Sequence, residues 1–237
     1  MSTFAILLAG GSGSRMRGVV RDKILEPLAG IPVIAHSVKA FIESEVIDGF
    51  VIVCRDDEQQ AEITNAIQPW LTKDVPLYWA RGGKERQDSV LNGLECCPEN
   101  TSIVFIHDSA RPLVQKESLI KLADTALLNG AGVLAHRVKD TIKQVPPQTK
   151  PGISVDHVDL DRSTLWAMET PQVFRHSLIL AAYRKIITEK IPITDDVAAA
   201  THAGHKVALV ENLHPNPKIT DPHDLLLVEF LLKQKRI

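Results

Sequence analysis

The chain has 237 residues, 44% of them hydrophobic and 24% charged, and its 27 Lys+Arg against 29 Asp+Glu leave a formal charge of −2. That is the composition of an ordinary globular protein, long enough to bury a sizeable core. The near-neutral balance argues against a broad nucleic-acid or membrane surface, which usually needs an excess of Lys and Arg. In chain order, the first predicted strand is Phe4–Ala9. It has no basic leader before it and stops at glycine, so it does not read as a secretion signal. A glycine-dense turn follows, and then an amphipathic helix over Val33–Ile42. Strand Phe50–Cys54, helix Glu58–Trp70, strand Leu77–Ala80 and helix Asp88–Glu95 come next. After them come strand Ile103–Ile106, helix Glu117–Leu128 and strand Gly132–His136. Helix His176–Ile187, strand Val207–Val210 and helix Asp221–Leu232 complete the pattern. The last helix has a clear start, with Asp221 as cap, Pro222 at its first position and Asp224 in its first turn.

Strands alternating with helices imply βαβ units and a mainly parallel sheet covered on both faces. No apolar run approaches the roughly 20 residues that span a bilayer. Cys54, Cys96 and Cys97 are odd in number, two are adjacent, and no CxxC occurs. A disulfide framework and a structural zinc site are therefore not expected, and the cysteines read as core residues of a reduced, cytoplasmic chain. One stretch breaks the rhythm. Residues from about Val138 to Leu165 are polar and carry Pro146, Pro147 and Pro151. They read as an extended hairpin, either a surface excursion or an arm that reaches another subunit.

Three clusters can carry chemistry. FAILLAGGSGSRM runs from a buried strand into a glycine-rich turn, followed by Arg15, Arg17 and Lys23. It matches neither GxxxxGK[ST] nor GxGxxG. Even so, a turn of small residues at the carboxyl end of a strand is where an α/β sheet binds phosphates. The second cluster, GGKERQDS from Gly82 to Ser89, again lets backbone approach a ligand, though turn-and-cap sequences of this kind are common. The third is VFIHDSARP, an apolar strand that ends in His107, Asp108 and Arg111. Asp108 suits Mg²⁺ or its waters, and Arg111 suits a phosphate oxygen, or the two form an internal ion pair. His107 reads as a structural hydrogen-bonder, because no nucleophile accompanies it. GxSxG and HExxH are absent, the nine histidines lack ligand spacing, and Asp195-Asp196 or Asp159 with Asp161 are at most a candidate acid–base pair.

Taken together, these motifs resemble one family. LLAGGSGSRM is similar to the LxAxGxGxRM signature of nucleotidyltransferases. With GGKERQDSVLNGL, VFIHDSARP, LDRSTLWAMETPQVF, ITDDVAAA and NPKITDPHDL, in that order, it resembles the 2-C-methyl-D-erythritol 4-phosphate cytidylyltransferase family over nearly the whole chain. The resemblance implies one α/β domain over 1–237: an αβα sandwich with a Rossmann-like, mostly parallel sheet and a protruding β-arm at about 138–165. It also implies a homodimer through that arm, and CMP transfer from CTP to methylerythritol phosphate in non-mevalonate isoprenoid synthesis.

By that resemblance, Arg15 and Lys23 act on the triphosphate. Ala9, Gly10, Gly11, Gly82, Lys84, Ser89, Asp108 and Ala110 hold the nucleotide, with Asp108 at the Mg²⁺. Arg111, Thr141, Arg162, Thr170 and Lys218 hold the polyol phosphate, Thr141 reaching the partner's site together with Lys143 on the same arm. The chain departs from the family at Arg21-Asp22-Lys23, where a Pro-Lys is usual. The change sets a carboxylate beside the lysine. The alternatives are a ribitol 5-phosphate cytidylyltransferase and a nucleotide-binding module without turnover.

Overall fold

The structure, a computed structural model, describes residues 2–11, 16, 21–71 and 75–234. Strand β1 (Ser2–Leu8) is followed by a two-residue hairpin, β2 (Pro27–Leu28) and β3 (Ile31–Pro32), and by helix α1 (Val33–Ser44). Then come β4 (Gly49–Cys54), α2 (Asp57–Ile67), β5 (Leu77–Arg81), α3 (Arg86–Glu95), β6 (Thr101–Asp108), α4 (Lys116–Asn129) and β7 (Ala131–Arg137). The short pair β8 (Lys143–Gln144) and β9 (Val158–Asp159) precedes β10 (Trp166–Arg175), α5 (His176–Glu189), α6 (Asp196–His202), β11 (Ala208–Glu211) and α7 (Pro222–Gln234).

Among the described residues, seven strands form one sheet in the order β11-β7-β10-β6-β1-β4-β5, in which β10 alone runs antiparallel to its neighbours. Two-residue periodicity splits the core. Ala5 and Leu7 of β1, Phe50 and Ile52 of β4 and Phe105 of β6 share one apolar cluster with α1 and α4. Ile6, Val51, Val53, Val104 and Ile106 share the other with α3, α5 and α6. Helices thus cover both faces, and the expected αβα sandwich is present. Gly93 explains how closely α3 sits: a Cβ there would lie 2.7 Å from Ile6 Cγ2 and 3.0 Å from Val53 Cγ2.

The differences from the sequence reading are local. Strand β10 was not predicted, because Glu169-Thr170-Pro171 in its middle reads as turn chemistry. The chain accommodates that proline at a bulge, where the ladder to β7 shifts register between Met168 and Gln172. Helix α6 was also not predicted. It is seven residues long and starts at an Asp195 cap that accepts from Ala198 N. The predicted helix to Trp70 is α2 followed by a separate 3₁₀ turn over Gln68–Trp70, with Pro69 inside it. The segment from Val138 to Leu165 is an exposed excursion whose strand pairing is the short β8–β9 ladder, Lys143 opposite Asp159 and Gln144 opposite Val158, followed by a 3₁₀ turn over Arg162–Thr164.

Candidate active site

The carboxyl ends of β1, β4, β5 and β6 converge on one edge of the sheet, and backbone hydrogen bonds extend the ladders past those ends. Ala9 N donates to Val53 O (2.9 Å), Ser109 N to Leu8 O (3.2 Å) and Gly82 N to Cys54 O (2.8 Å). The loops after the strands are therefore held by the sheet itself. Above them opens a cleft of about 510 Å³. Ala9, Gly10 and Gly11 line it from the end of β1, Lys84 from the turn before α3 and Ser89 from that helix's first turn, and Asp108 and Ala110 from the end of β6. Lys23 and Lys218 close it from distant parts of the chain.

Asp108 is the centre of charge. Its Oδ2 accepts from Lys218 Nζ at 2.6 Å, and Arg86 Nη2 lies 3.6 Å from its Oδ1. Burial raises the Asp108 carboxyl, but Arg86 and Lys218 outweigh it and hold the group well below the usual carboxylate range. The carboxylate therefore stays charged at neutral pH. Behind it, Thr170 Oγ1 accepts from Asp108 N (3.0 Å) and faces His107 Nδ1 (3.1 Å). His107 is fully buried and its Nε2 lies 3.2 Å from Arg111 O, an oxygen that can only accept. The ring is thus neutral with its proton on Nε2, and the threonine hydroxyl donates to Nδ1. His107 is structural, as the sequence suggested.

Arg86 was not singled out by sequence. It opens α3 and lines the cleft, and its guanidinium grips Asp196 through two bonds of 2.8 and 2.9 Å. Asp196 is fully buried and also accepts from Tyr183 OH. The acidic pair Asp195-Asp196 is therefore no acid–base couple: Asp195 caps α6 and Asp196 anchors Arg86. The other pair is spent as well. Asp159 bonds Lys143, and Asp161 caps the turn at Ser163. GGKERQDS contained the arginine, but its partner lies 110 residues away, beyond any local pattern.

Lys23 Nζ donates to Ile219 O (3.0 Å), so Lys23 is bonded to the residue that follows Lys218 in the chain. The neighbouring Asp22 is buried and turned away from the cleft. Its carboxylate accepts from Gln59 Nε2 (2.5 Å) and Ile24 N (3.3 Å), with Arg55 Nη1 at 3.6 Å. Gln59 also donates to Ala9 O (3.1 Å), which ties Asp22 to the end of β1 through one side chain. The carboxylate beside Lys23 is thus committed to Gln59 of α2 and to Arg55 just after β4.

Other predicted residues sit at the margin or elsewhere. Gly82 flanks the cleft, with a built Cβ 3.6 Å from Ser89 Oγ. Arg111 sends its Nη1 to Asn216 O (2.7 Å) rather than pairing with Asp108, and Thr170 lies buried behind Asp108. Thr141 and Arg162 are exposed on the arm, where Arg162 Nη1 donates to Lys139 O (2.8 Å). Arg15 and Arg17 lie outside the described residues.

Among the described residues no group of three or more His, Cys, Asp and Glu side chains can hold a metal ion. One carboxylate at a cation-rich cleft still fits Mg²⁺, which takes one or two carboxylates and completes its shell with substrate phosphates and water.

The profile of 2-C-methyl-D-erythritol 4-phosphate cytidylyltransferases matches residues 3–234. The chain belongs to that family. It is 38% identical over 235 residues to the 2-C-methyl-D-erythritol 4-phosphate cytidylyltransferase of Geobacillus thermodenitrificans, covering 99% of each chain. The chloroplastic protein of the same name from Oryza sativa subsp. japonica is 38% identical over 99% of this chain and 75% of its own. In three dimensions, the 4-diphosphocytidyl-2C-methyl-D-erythritol synthase of Anaerococcus prevotii superposes with a TM-score of 0.81 at 26% identity, over 98% of this chain and 96% of that one. The family likeness thus spans both the glycine-rich loop of β1 and the Lys218 segment, the two halves of the cleft.

Proposed function

We infer that this chain transfers CMP from CTP to 2-C-methyl-D-erythritol 4-phosphate, releasing pyrophosphate, and that the Asp108 cleft is where it does so. The observation that carries the reading is the pairing of a glycine-lined anion loop with two lysines tied to one stretch of chain: Lys218 bonds Asp108, and Lys23 bonds the carbonyl of the next residue, Ile219. The backbone at Ala9, Gly10 and Gly11 cradles the triphosphate, while Gly82, Lys84 and Ser89 take the base end. A phosphate oxygen of the polyol substrate attacks the α-phosphorus in line, and pyrophosphate leaves. The nucleophile is already an anion, so no general base is needed, and the protein's work is to position two polyanions and offset growing charge. Lys23, together with Arg15, meets the charge on the triphosphate, and Lys218 meets the polyol phosphate. Mg²⁺ held at Asp108 supplies further charge neutralisation when bound.

The arm supports a homodimer. It carries exposed Ile153 and Val158 but no core of its own, and its Thr141 and Arg162 are absent from the residues that line the cleft. An arm that reaches the partner's cleft puts them to use. No helix among the described residues is long and apolar enough to cross a membrane. Free Cys54, Cys96 and Cys97 fit a reducing compartment, the cytoplasm in this reading. The experiment is CTP-dependent pyrophosphate release with methylerythritol phosphate and ribitol 5-phosphate side by side. The reading expects release with the first to exceed the second by about a hundredfold in kcat/KM. Preference for ribitol phosphate would move the chain to the other polyol, and release with neither would leave a nucleotide-binding module.

A further inference from the structure

The segment from Asn212 to Asp221 is irregular, yet it delivers Lys218 to Asp108 and the Ile219 carbonyl to Lys23. Its backbone does little to hold it. Pro215 and Pro217 bracket Asn216 and have no N–H to give. Asn212 N reaches Ala135 O (2.7 Å), and Ile219 N reaches Ala110 O (2.8 Å). Between those two points the anchors are side chains, and two of them end on one atom. Glu169 Oε2 accepts from Asn212 Nδ2 (2.9 Å) and from Asn216 Nδ2 (2.8 Å). Its other oxygen lies 2.6 Å from His136 Nδ1, which donates to it.

Glu169 is only 4% exposed and sits in the bulge of β10, between the last β7 pair at Met168 and the next at Gln172. The bulge takes Glu169 and Thr170 out of the ladder and frees them to hold the segment instead: Asn216 Nδ2 also donates to Thr170 O (3.1 Å). A buried carboxylate is costly unless its lone pairs are filled, and three donors fill these. Glu169 lies outside the residues that line the cleft.

We propose that Glu169 is a positioning residue for the transfer reaction: by fixing Asn212 and Asn216 it sets where Lys218 and the Ile219 carbonyl meet Asp108 and Lys23. The role rests on the reaction inferred above, but the placement itself does not. Asn216 matters more than Asn212, because Asn212 has a backbone bond to β7, whereas the main chain of Asn216, between two prolines, is held at its carbonyl by the Arg111 side chain (2.7 Å).

The test compares Glu169→Ala, Glu169→Gln and Asn216→Ala with the unmodified chain. Hydrogen exchange of the protein alone reads the placement. Glu169→Ala should speed exchange across 212–221, the Ile219 amide included, by about tenfold, with β1 and β6 unchanged. Kinetics read the consequence: KM for methylerythritol phosphate should rise about tenfold while KM for CTP stays within about threefold. Glu169→Gln keeps an oxygen able to accept from both asparagines, and should stay within about threefold of the unmodified chain in both readouts. Asn216→Ala moves both readouts in the direction of Glu169→Ala, and carries the test if Glu169→Ala does not fold. Unchanged exchange across 212–221, equal losses for the two substrates, or a glutamine variant as impaired as the alanine one would overturn the proposal. If even the unmodified chain leaves methylerythritol phosphate untouched, the reaction reading fails, and exchange alone then decides the placement.

Discussion

His107 bonds both the threonine that holds the Asp108 amide and the carbonyl of Arg111, so it forms the back wall of the cleft without entering it. Burial pushes its pKa down to about 4, against the opposing pull of Asp108. The unfolded chain takes up a proton near pH 6.5, and the folded one only near the lower value. The stability that neutral His107 lends is thus complete above about pH 6.5 and lost as pH falls toward about 4, a difference of at most ~3 kcal/mol. Denaturant unfolding between pH 6.5 and 4.5, in EDTA, should show that loss, and His107→Gln should flatten it. An equal slope in the two proteins would remove His107 from this role. The histidine's part was legible, since it stands at the end of an apolar strand without a nucleophile. The parts of Arg86 and Glu169 were not. Their partners, Asp196 for the first and Asn212 and Asn216 for the second, are remote in sequence and meet them only through the sheet order.

Among the elements, α3 builds, through its first turn, the end of the cleft proposed for the nucleotide. Glu85 and Asp88 form a reciprocal cap there, and Gly83 N donates to Ser89 Oγ (3.0 Å). A Cβ on Gly83 would lie 2.2 Å from Asp88 Cβ, which forces that turn apart. Gly83→Ala should therefore raise KM for CTP by about tenfold and leave KM for the polyol phosphate near its original value. Steady-state kinetics with each substrate varied in turn decide it, and an unchanged KM for CTP would mean that the turn is not at the nucleotide. The central strands that pair in parallel, β1, β4 and β6, were readable because burial on both faces makes them continuously apolar. Strand β10 was hidden because Glu169, Thr170 and Pro171 serve the site rather than the ladder. The sequence pattern failed where the chain gives up regular pairing for function.

For the whole molecule, the claim at stake is an assembly in which each arm serves the other subunit. Sedimentation at micromolar concentration should give a dimer. Mixing a Thr141→Ala chain with a Lys23→Ala chain, each nearly inactive alone, should restore about a quarter of the original activity, because half the dimers are mixed and each holds one intact site. No recovery would mean that every cleft is built from its own chain. The αβα architecture and the family were legible from end to end, since they rest on alternating elements and ordered motifs. The resemblance assigned Lys23 and Lys218 to one site, but the contacts that bring them there were not legible, since they depend on how the last loop folds back over β6. The most direct measurement is therefore on Lys218. The account predicts that Lys218→Ala lowers kcat/KM for methylerythritol phosphate by about a hundredfold, with KM for CTP within about threefold and the fold intact. Unchanged kcat/KM for methylerythritol phosphate in that variant would contradict it.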